Sequence, residues 1–388
     1  MDPSRPLRIL VAADKFKGSL SGPESCAAIA AGLRESLGEA VEISTAPVAD
    51  GGEGMALGIT QARGGKWTKA TVSDPLGRPV EAGFGLIEDE TGTSVGVIEM
   101  AEASGLWRLT NEERDPWRAS TFGTGELIRL AIESGADRIL LGIGGSATND
   151  GGSGMAAALG FRFFNSVGDR LTNLPADLGD AVRIESPEPS PPPVEVACDV
   201  TNPLLGDSGA TRIYGPQKGI AREQLEAQET RLAHLVALIG ERGAEAAKVP
   251  GSGAAGGLGF GCLAFLDATL RPGFDLVAEV LGLEEKVRNA DLVITGEGKL
   301  DAQTLQGKAP AGVAALARRH GKPVAAFAGV IADDAGPSLG ERFDFHASVA
   351  AKGLRVEESM RRAAPLLQEV AAENATAILE LGRRATSD

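Results

Sequence analysis

Arg138-Ile139-Leu140-Leu141-Gly142-Ile143-Gly144-Gly145-Ser146-Ala147-Thr148-Asn149-Asp150-Gly151-Gly152 is the stretch on which the reading of this chain turns. A short apolar run ends in glycines and small polar residues. It then leads into an apolar helical pattern through Met155, Ala156, Ala157, Ala158 and Leu159. A strand that gives way to a glycine loop and then to a helix aims backbone N–H groups at a phosphate or carboxylate. Ser146, Thr148, Asn149 and Asp150 add hydroxyl, amide and carboxylate groups, which suit a hydroxylated substrate or a metal ion. The pattern predicts an α/β fold and an enzyme that handles anions.

The same rhythm opens the chain. Leu7–Ala13 is an apolar run bounded by charge and reads as a buried strand. Ser21-Gly22-Pro23-Glu24 is a capping-box pattern that starts a helix running to about Leu37. Val41–Val48 reads as the next strand. Residues 67–118 change register: Thr68–Val72, Val80–Leu86 and Val95–Met100 read as strands with no long helix between them, as in a mixed sheet. Residues 124–134 read as a helix, 161–200 as strand-rich with a Pro-rich linker at Pro187–Pro193, and 222–239 as an amphipathic helix packed through Leu225, Leu232, Leu235 and Ile239. From Asp291 the βα rhythm returns: strand Leu292–Thr295, a polar glycine loop, helix 309–319, then strands at Val324–Ala328 and His346–Val349. Helical segments follow over 356–381, with Pro365 as a break or kink. Two α/β domains follow from this. One is a discontinuous doubly wound, flavodoxin- or Rossmann-like parallel sheet over 1–66, 119–160 and 285–388. The other is an inserted mixed-sheet α/β domain over 67–118 and 161–284, with the site expected in the cleft between them.

Composition narrows the function. The 52 glycines among 388 residues exceed the usual share of about 7% and cluster in discrete loops, so they point to backbone–ligand contacts. A net charge of −15 and 4% aromatic residues argue against nucleic acid or an anionic membrane as partner. Cys26, Cys198 and Cys262 are far apart without a CxxC, and His234, His320 and His346 are isolated. Neither a zinc site nor a histidine-based nucleophile mechanism is indicated. No secretory pattern or long apolar run occurs, so a cytoplasmic soluble protein is expected.

The chemistry is carried by several loops, most of them at strand ends. Lys15 and Lys17 follow the first strand, where a lysine can meet a phosphate. Asp50 and Glu53 sit among three glycines after the second. Asp199 and Asn202 lie in Cys198-Asp199-Val200-Thr201-Asn202-Pro203, and Lys218 in Gly215-Pro216-Gln217-Lys218-Gly219. Glu297, Asp301 and Lys308 lie between Thr295 and Lys308. Gly251-Ser252-Gly253-Ala254-Ala255-Gly256 matches GxGxxG, yet no strand precedes it. Gly256 is therefore read as a ligand-contacting or tightly packed glycine, not part of a dinucleotide fingerprint. The opening loop fits GxGxxA but lacks an acidic ribose partner about 20 positions on, and no GxxxxGK[ST] occurs. Lysines for phosphates, carboxylates for Mg²⁺ and glycine loops for backbone donors are what phosphoryl transfer requires.

At these residues the chain resembles the glycerate kinase type I family. The resemblance runs from Asp14-Lys15-Phe16-Lys17-Gly18-Ser19 through Ala49-Asp50-Gly51-Gly52-Glu53-Gly54, Ser73–Arg78, Thr124–Leu127, Gly142–Gly152, Cys198–Pro203, Gly215–Gly219 and Ala254–Gly259 to Ile294–Gly298 and Pro323-Val324. It implies two α/β domains, ATP and Mg²⁺ as co-substrates, and phosphorylation of D-glycerate with 2-phosphoglycerate the favoured product. Asp199 is expected to act on the substrate hydroxyl, with Asp50 second. Lys15, Lys17 or Lys218 is expected to offset charge on the transferred phosphoryl group. Ser146, Thr148, Asn149, Asn202, Lys218, Gly256, Glu297 and Lys308 are expected to bind substrate or ATP, and Asp150 and Asp301 to bind Mg²⁺. A monomer or homodimer fits. The alternative is a nicotinamide-dependent oxidoreductase acting on a small hydroxy acid.

Overall fold

The computed structural model describes residues 5–49, 51–52, 54–188, 190–302, 304, 308–335 and 338–385. The chain forms two compact units, one from residues 1–50 and 274–388, the other from 51–273.

The first unit is built on a five-stranded parallel sheet. Its order is Phe345–Ser348, Val324–Ile331, Leu292–Leu300, Leu7–Val11 and Val41–Thr45. Numbered within the unit this is 5-4-3-1-2, the flavodoxin-like arrangement read from its far edge. Alternate residues of each strand feed two separate cores. Leu7, Ile9, Val11, Ile294, Ala325 and Phe327 face helices Gly22–Leu37 and Ala363–Glu373. Leu10, Ala12, Val293, Val324, Ala326 and Ala328 face helices Leu283–Asn289 and Ala309–Arg319. Helices on both faces are what a buried parallel sheet requires.

The expected capping box is formed: Glu24 N donates to Ser21 Oγ, and the Glu24 carboxylate accepts from Ser21 N at 2.8 Å. The strand expected to stop at Thr295 continues to Leu300. Gly296 permits this, because a Cβ there would stand 2.3 Å from the Phe327 carbonyl of the neighbouring strand. The C-terminal region forms three helices, Val356–Arg361, Ala363–Glu373 and Ala375–Ala385. The break precedes Pro365, which sits in a first turn where its missing N–H costs nothing.

The second unit has a six-stranded mixed sheet. Thr269–Arg271, Val194–Ala197, Arg138–Gly142 and Ser94–Glu99 run parallel; Pro79–Glu88 and Lys66–Ser73 add antiparallel at one edge. A small antiparallel sheet of Arg162–Phe164, Arg170–Leu171 and Arg183–Glu185 accompanies it. Here the domain reading needs correction. Residues 51–66 and 119–160 belong to this unit, and 274–284 to the other. Strand Arg138–Gly142 lies between Ser94–Glu99 and Val194–Ala197. The βα rhythm identified the strand but cannot say which sheet it joins.

Helix Gly22–Leu37 approaches helix Ala363–Glu373 closely at Gly32, where a Cβ would lie 2.1 Å from the Gln368 carbonyl oxygen. Gly32→Ala should therefore destabilise the protein by about 3 kcal/mol in denaturant unfolding. Gly58→Ala, in helix Met55–Ala62 with open space around it, should stabilise it by about 0.5–1 kcal/mol.

Candidate active site

The loop after strand Arg138–Gly142 supplies its own anion. Asp150 is fully buried. Its Oδ2 accepts from Thr121 N at 2.9 Å, Thr121 Oγ1 at 2.7 Å and Gly154 N at 3.1 Å, and its Oδ1 from Gly152 N at 3.1 Å. Thr121 Oγ1 in turn accepts from Met155 N at 2.8 Å. The N–H groups expected to face a ligand are thus spent on a carboxylate of the same loop. Both oxygens of Asp150 are engaged by the protein's own donors, which is the setting of a structural carboxylate rather than of the expected metal ligand.

Lys218 reaches this loop from the turn Pro216–Lys218. Its Nζ donates to Ser146 Oγ at 2.6 Å and to the Thr148 carbonyl at 2.7 Å. The side chain is 1% exposed. Burial pushes its pKa down to about 7, against the opposing pull of the Asp150 charge. Two neutral oxygens are its only partners among the described residues.

Thr148, Asn149 and Ser153 are fully buried. Asn149 Nδ2 donates to Thr211 Oγ1 at 3.4 Å, and the Asn149 carbonyl accepts from Gln228 Nε2 at 2.6 Å. Thr148 Oγ1, Asn149 Oδ1, Ser153 Oγ and Gln228 Oε1 have no partner among the described residues. Gly256 is a packing glycine: its φ is +66°, and a Cβ would stand 1.9 Å from the Thr148 carbonyl oxygen. Gly151 N donates to its carbonyl at 3.1 Å. Sequence reading missed Thr121, Ser153, Gln228 and Thr211. Gln228 did carry a signal, as a polar residue on the apolar stripe of Leu225, Leu232 and Leu235 in helix Leu225–Ile239.

Asp199 follows strand Val194–Ala197 and is exposed, with Oδ1 accepting from Gly273 N at 2.7 Å. Asn202 is committed to its own loop: Nδ2 donates to the Ser208 carbonyl and Oδ1 accepts from Tyr214 Oη, both at 2.7 Å.

In the first unit, Lys15 and Lys17 follow strand Leu7–Val11, and Glu297 lies within strand Leu292–Leu300. These adjacent strands flank the point where the strand order reverses, the place where open α/β sheets bind ligands. The two segments touch. Asp14 N donates to the Gly296 carbonyl at 2.8 Å, and a Cβ on Gly298 would lie 3.0 Å from Lys17 N. Asp301 pairs with Lys299 at 3.3 Å and accepts from Thr304 N at 3.1 Å. Burial raises its pKa, but these bonds and the Lys308 charge outweigh it, and the carboxyl is held below its usual range. Lys308 is the N-cap residue of helix Ala309–Arg319. Asp50 and Glu53 lie outside the described residues.

Among the described residues, no group of three or more His, Cys, Asp or Glu side chains forms a metal cage. Mg²⁺ in nucleotide sites is usually held by one or two carboxylates together with substrate phosphates. Asp301 fits that mode better than Asp150. Among the described residues, no helix is long and apolar enough to cross a membrane.

The sequence model of the glycerate kinase family matches residues 9–379. The chain is 42% identical over 368 residues to a glycerate kinase of Halalkalibacterium halodurans, covering 94% of this chain and 96% of that one. It is 41% identical over 383 residues to glycerate 2-kinase of Escherichia coli K12, covering 97% and 99%. A crystal structure provisionally assigned as glycerate kinase 2 from Salmonella typhimurium LT2 superposes with a TM-score of 0.86 at 38% identity, covering 98% of this chain and 100% of that one. These matches are to kinases, and the oxidoreductase alternative is not supported.

Lys218 gives a pH prediction. Its folded pKa lies below the unfolded value of about 10.4, so the unfolded state binds more protons between about 7 and 10. Stability contributed at this position rises with pH across that window and levels off below about 7. The melting-temperature difference, wild type minus Lys218→Met, should therefore increase from pH 7 to pH 9.5 in parallel thermal scans.

Proposed function

The chain belongs to the glycerate kinase family, and on that premise we propose that it catalyses ATP-dependent phosphorylation of D-glycerate, with 2-phosphoglycerate as product. The observation that carries this reading is the family match over residues 9–379. The choice of the 2-hydroxyl is supported by the relative named glycerate 2-kinase, similar over 97% of this chain.

Phosphoryl transfer asks the protein for positioning and charge neutralisation more than for covalent chemistry. The exposed Asp199 orients the substrate hydroxyl and accepts its proton as the oxygen attacks phosphorus. Lys15 and Lys17, beside the reversal point of the parallel sheet, offset charge on the phosphates. Glu297, within the neighbouring strand of that sheet, and Asp301 and Lys308, after it, complete the nucleotide's surroundings. Mg²⁺, bound with the nucleotide, supplies further neutralisation of phosphate charge. With a net charge of −15, anionic substrates depend on these local lysines. A cytoplasmic enzyme, acting as monomer or homodimer, fits this use of ATP.

The test is D-glycerate-dependent release of ADP, with the product offered directly to enolase. Turnover that enolase accepts supports the 2-kinase reading, whereas turnover it does not accept moves the phosphate to the other hydroxyl. Asp199→Asn should lower kcat by about 10²- to 10⁴-fold with an unchanged melting temperature; near-wild-type turnover removes Asp199 from this role. Lys15→Ala should lower kcat/KM for ATP, and unchanged kinetics would make it a solvated surface lysine.

A further inference from the structure

The buried face of the 146–153 loop holds a lysine with no ion-pair contact among the described residues. Lys218 Nζ bonds two neutral oxygens and has no ion pair among the described residues. The nearby carboxylate, Asp150, is occupied by four protein donors. A protonated lysine has three N–H groups, so one remains unassigned. The same loop and the helix bonded to it carry four buried polar atoms without partners among the described residues: Thr148 Oγ1, Asn149 Oδ1, Ser153 Oγ and Gln228 Oε1. Unmet buried polar groups are rare because each costs free energy, and an uncompensated buried ammonium costs more.

This inventory discriminates between ligands. The unassigned Lys218 N–H and the two hydroxyls can donate to an anion. Asn149 Oδ1 and Gln228 Oε1 only accept, and so require a ligand that donates. The phosphates of MgATP bring acceptors and several negative charges, which would leave both amide oxygens unmet. A small hydroxyacid brings one carboxylate for the cation and a hydroxyl proton that an amide oxygen can accept.

We propose that Lys218, with the Thr148 hydroxyl, forms the subsite for the carboxylate of the hydroxyacid substrate, and that the Asn149 or Gln228 amide oxygen accepts a hydrogen bond from the hydroxyl that is not phosphorylated. This rests on the glycerate kinase reading and decides which of its two substrates the loop takes. It makes Lys218 a specificity residue for the acid rather than a phosphate-neutralising lysine.

The experiment is isothermal titration of D-glycerate, glycerol and MgADP into wild type, Lys218→Met and Thr148→Val. Lys218→Met should weaken D-glycerate by about 100-fold or more, the scale of leaving a buried charge unpaired, and change MgADP by less than about 2-fold. Glycerol, which has hydroxyls and no carboxylate, should bind all three proteins equally weakly. Thr148→Val removes an unpartnered hydroxyl while keeping the carbonyl that holds Lys218. It should leave the ligand-free melting temperature unchanged or higher, yet weaken D-glycerate by about 10-fold, the scale of one hydrogen bond to a charged group. It also serves as the test if Lys218→Met does not fold. Loss of MgADP affinity with D-glycerate intact assigns the loop to the nucleotide and overturns the proposal. Unchanged affinities for both make Lys218 a structural lysine and overturn it too. A wild type that turns over ATP with D-glycerate while either result holds keeps the kinase reading. A wild type that neither binds nor phosphorylates D-glycerate removes both.

Discussion

The Asp150 carboxylate is the constraint around which the larger unit's loop is arranged. Four donors converge on it, two from Thr121 and two from the backbone at Gly152 and Gly154. Hydrogen bonds to a charged group contribute about 1.5–3 kcal/mol each. They tie residues 150–154 to the start of helix Phe122–Glu133. With the backbone pinned there, the Thr148 carbonyl is placed where Lys218 reaches it. Gly256 can then fold against the same carbonyl in a left-handed conformation that side chains disfavour. A negative charge inside the loop also tempers the cost of burying Lys218 nearby.

The two units meet the demands of a kinase by different means. The first unit offers a parallel sheet whose strand order reverses between Leu7–Val11 and Leu292–Leu300, with lysines and carboxylates following those strands. Such an edge is open and suited to a large polyanion. The second unit offers a polar interior in which hydroxyls, amides and one lysine are withdrawn from water. That setting suits a small ligand chosen by its hydrogen-bonding pattern, since a buried polar group left unmet penalises the wrong one.

Much of the fold was legible because its signals are local. The capping box at Ser21, the apolar runs at Leu7 and Leu292, and the strand-rich change of register after residue 66 each depend on neighbours in sequence. Membership of sheets was not legible. Arg138–Gly142 looks like any strand of a doubly wound domain, and only its partners place it in the mixed sheet. The candidate site shows the same division. Glycines and small polar residues after a strand announced an anion, and the anion in the structure is Asp150. Nothing in the spacing says whether such an N–H cluster faces a ligand or its own side chain. Lys218 reads as one more lysine in a Gly/Pro turn that could meet substrate or ATP; its burial depends on a loop 70 residues earlier. Glu297 was read into a loop because glycines flank it, whereas Gly296 serves close strand approach.

The division of the chain sets an order of assembly. Strands Leu7–Val11 and Val41–Thr45 emerge from the ribosome before residues 51–273, yet Leu7–Val11 pairs with Leu292–Leu300 across a separation of more than 250 residues. The inserted unit is continuous and can close its own core once its last strand, Thr269–Arg271, has been made. The amino-terminal βαβ piece must wait, with one strand edge unpaired, until the far end of the chain arrives. The outer unit is thus the late-folding part of a nascent chain. In the interval its exposed edge is the surface that a chaperone would need to cover.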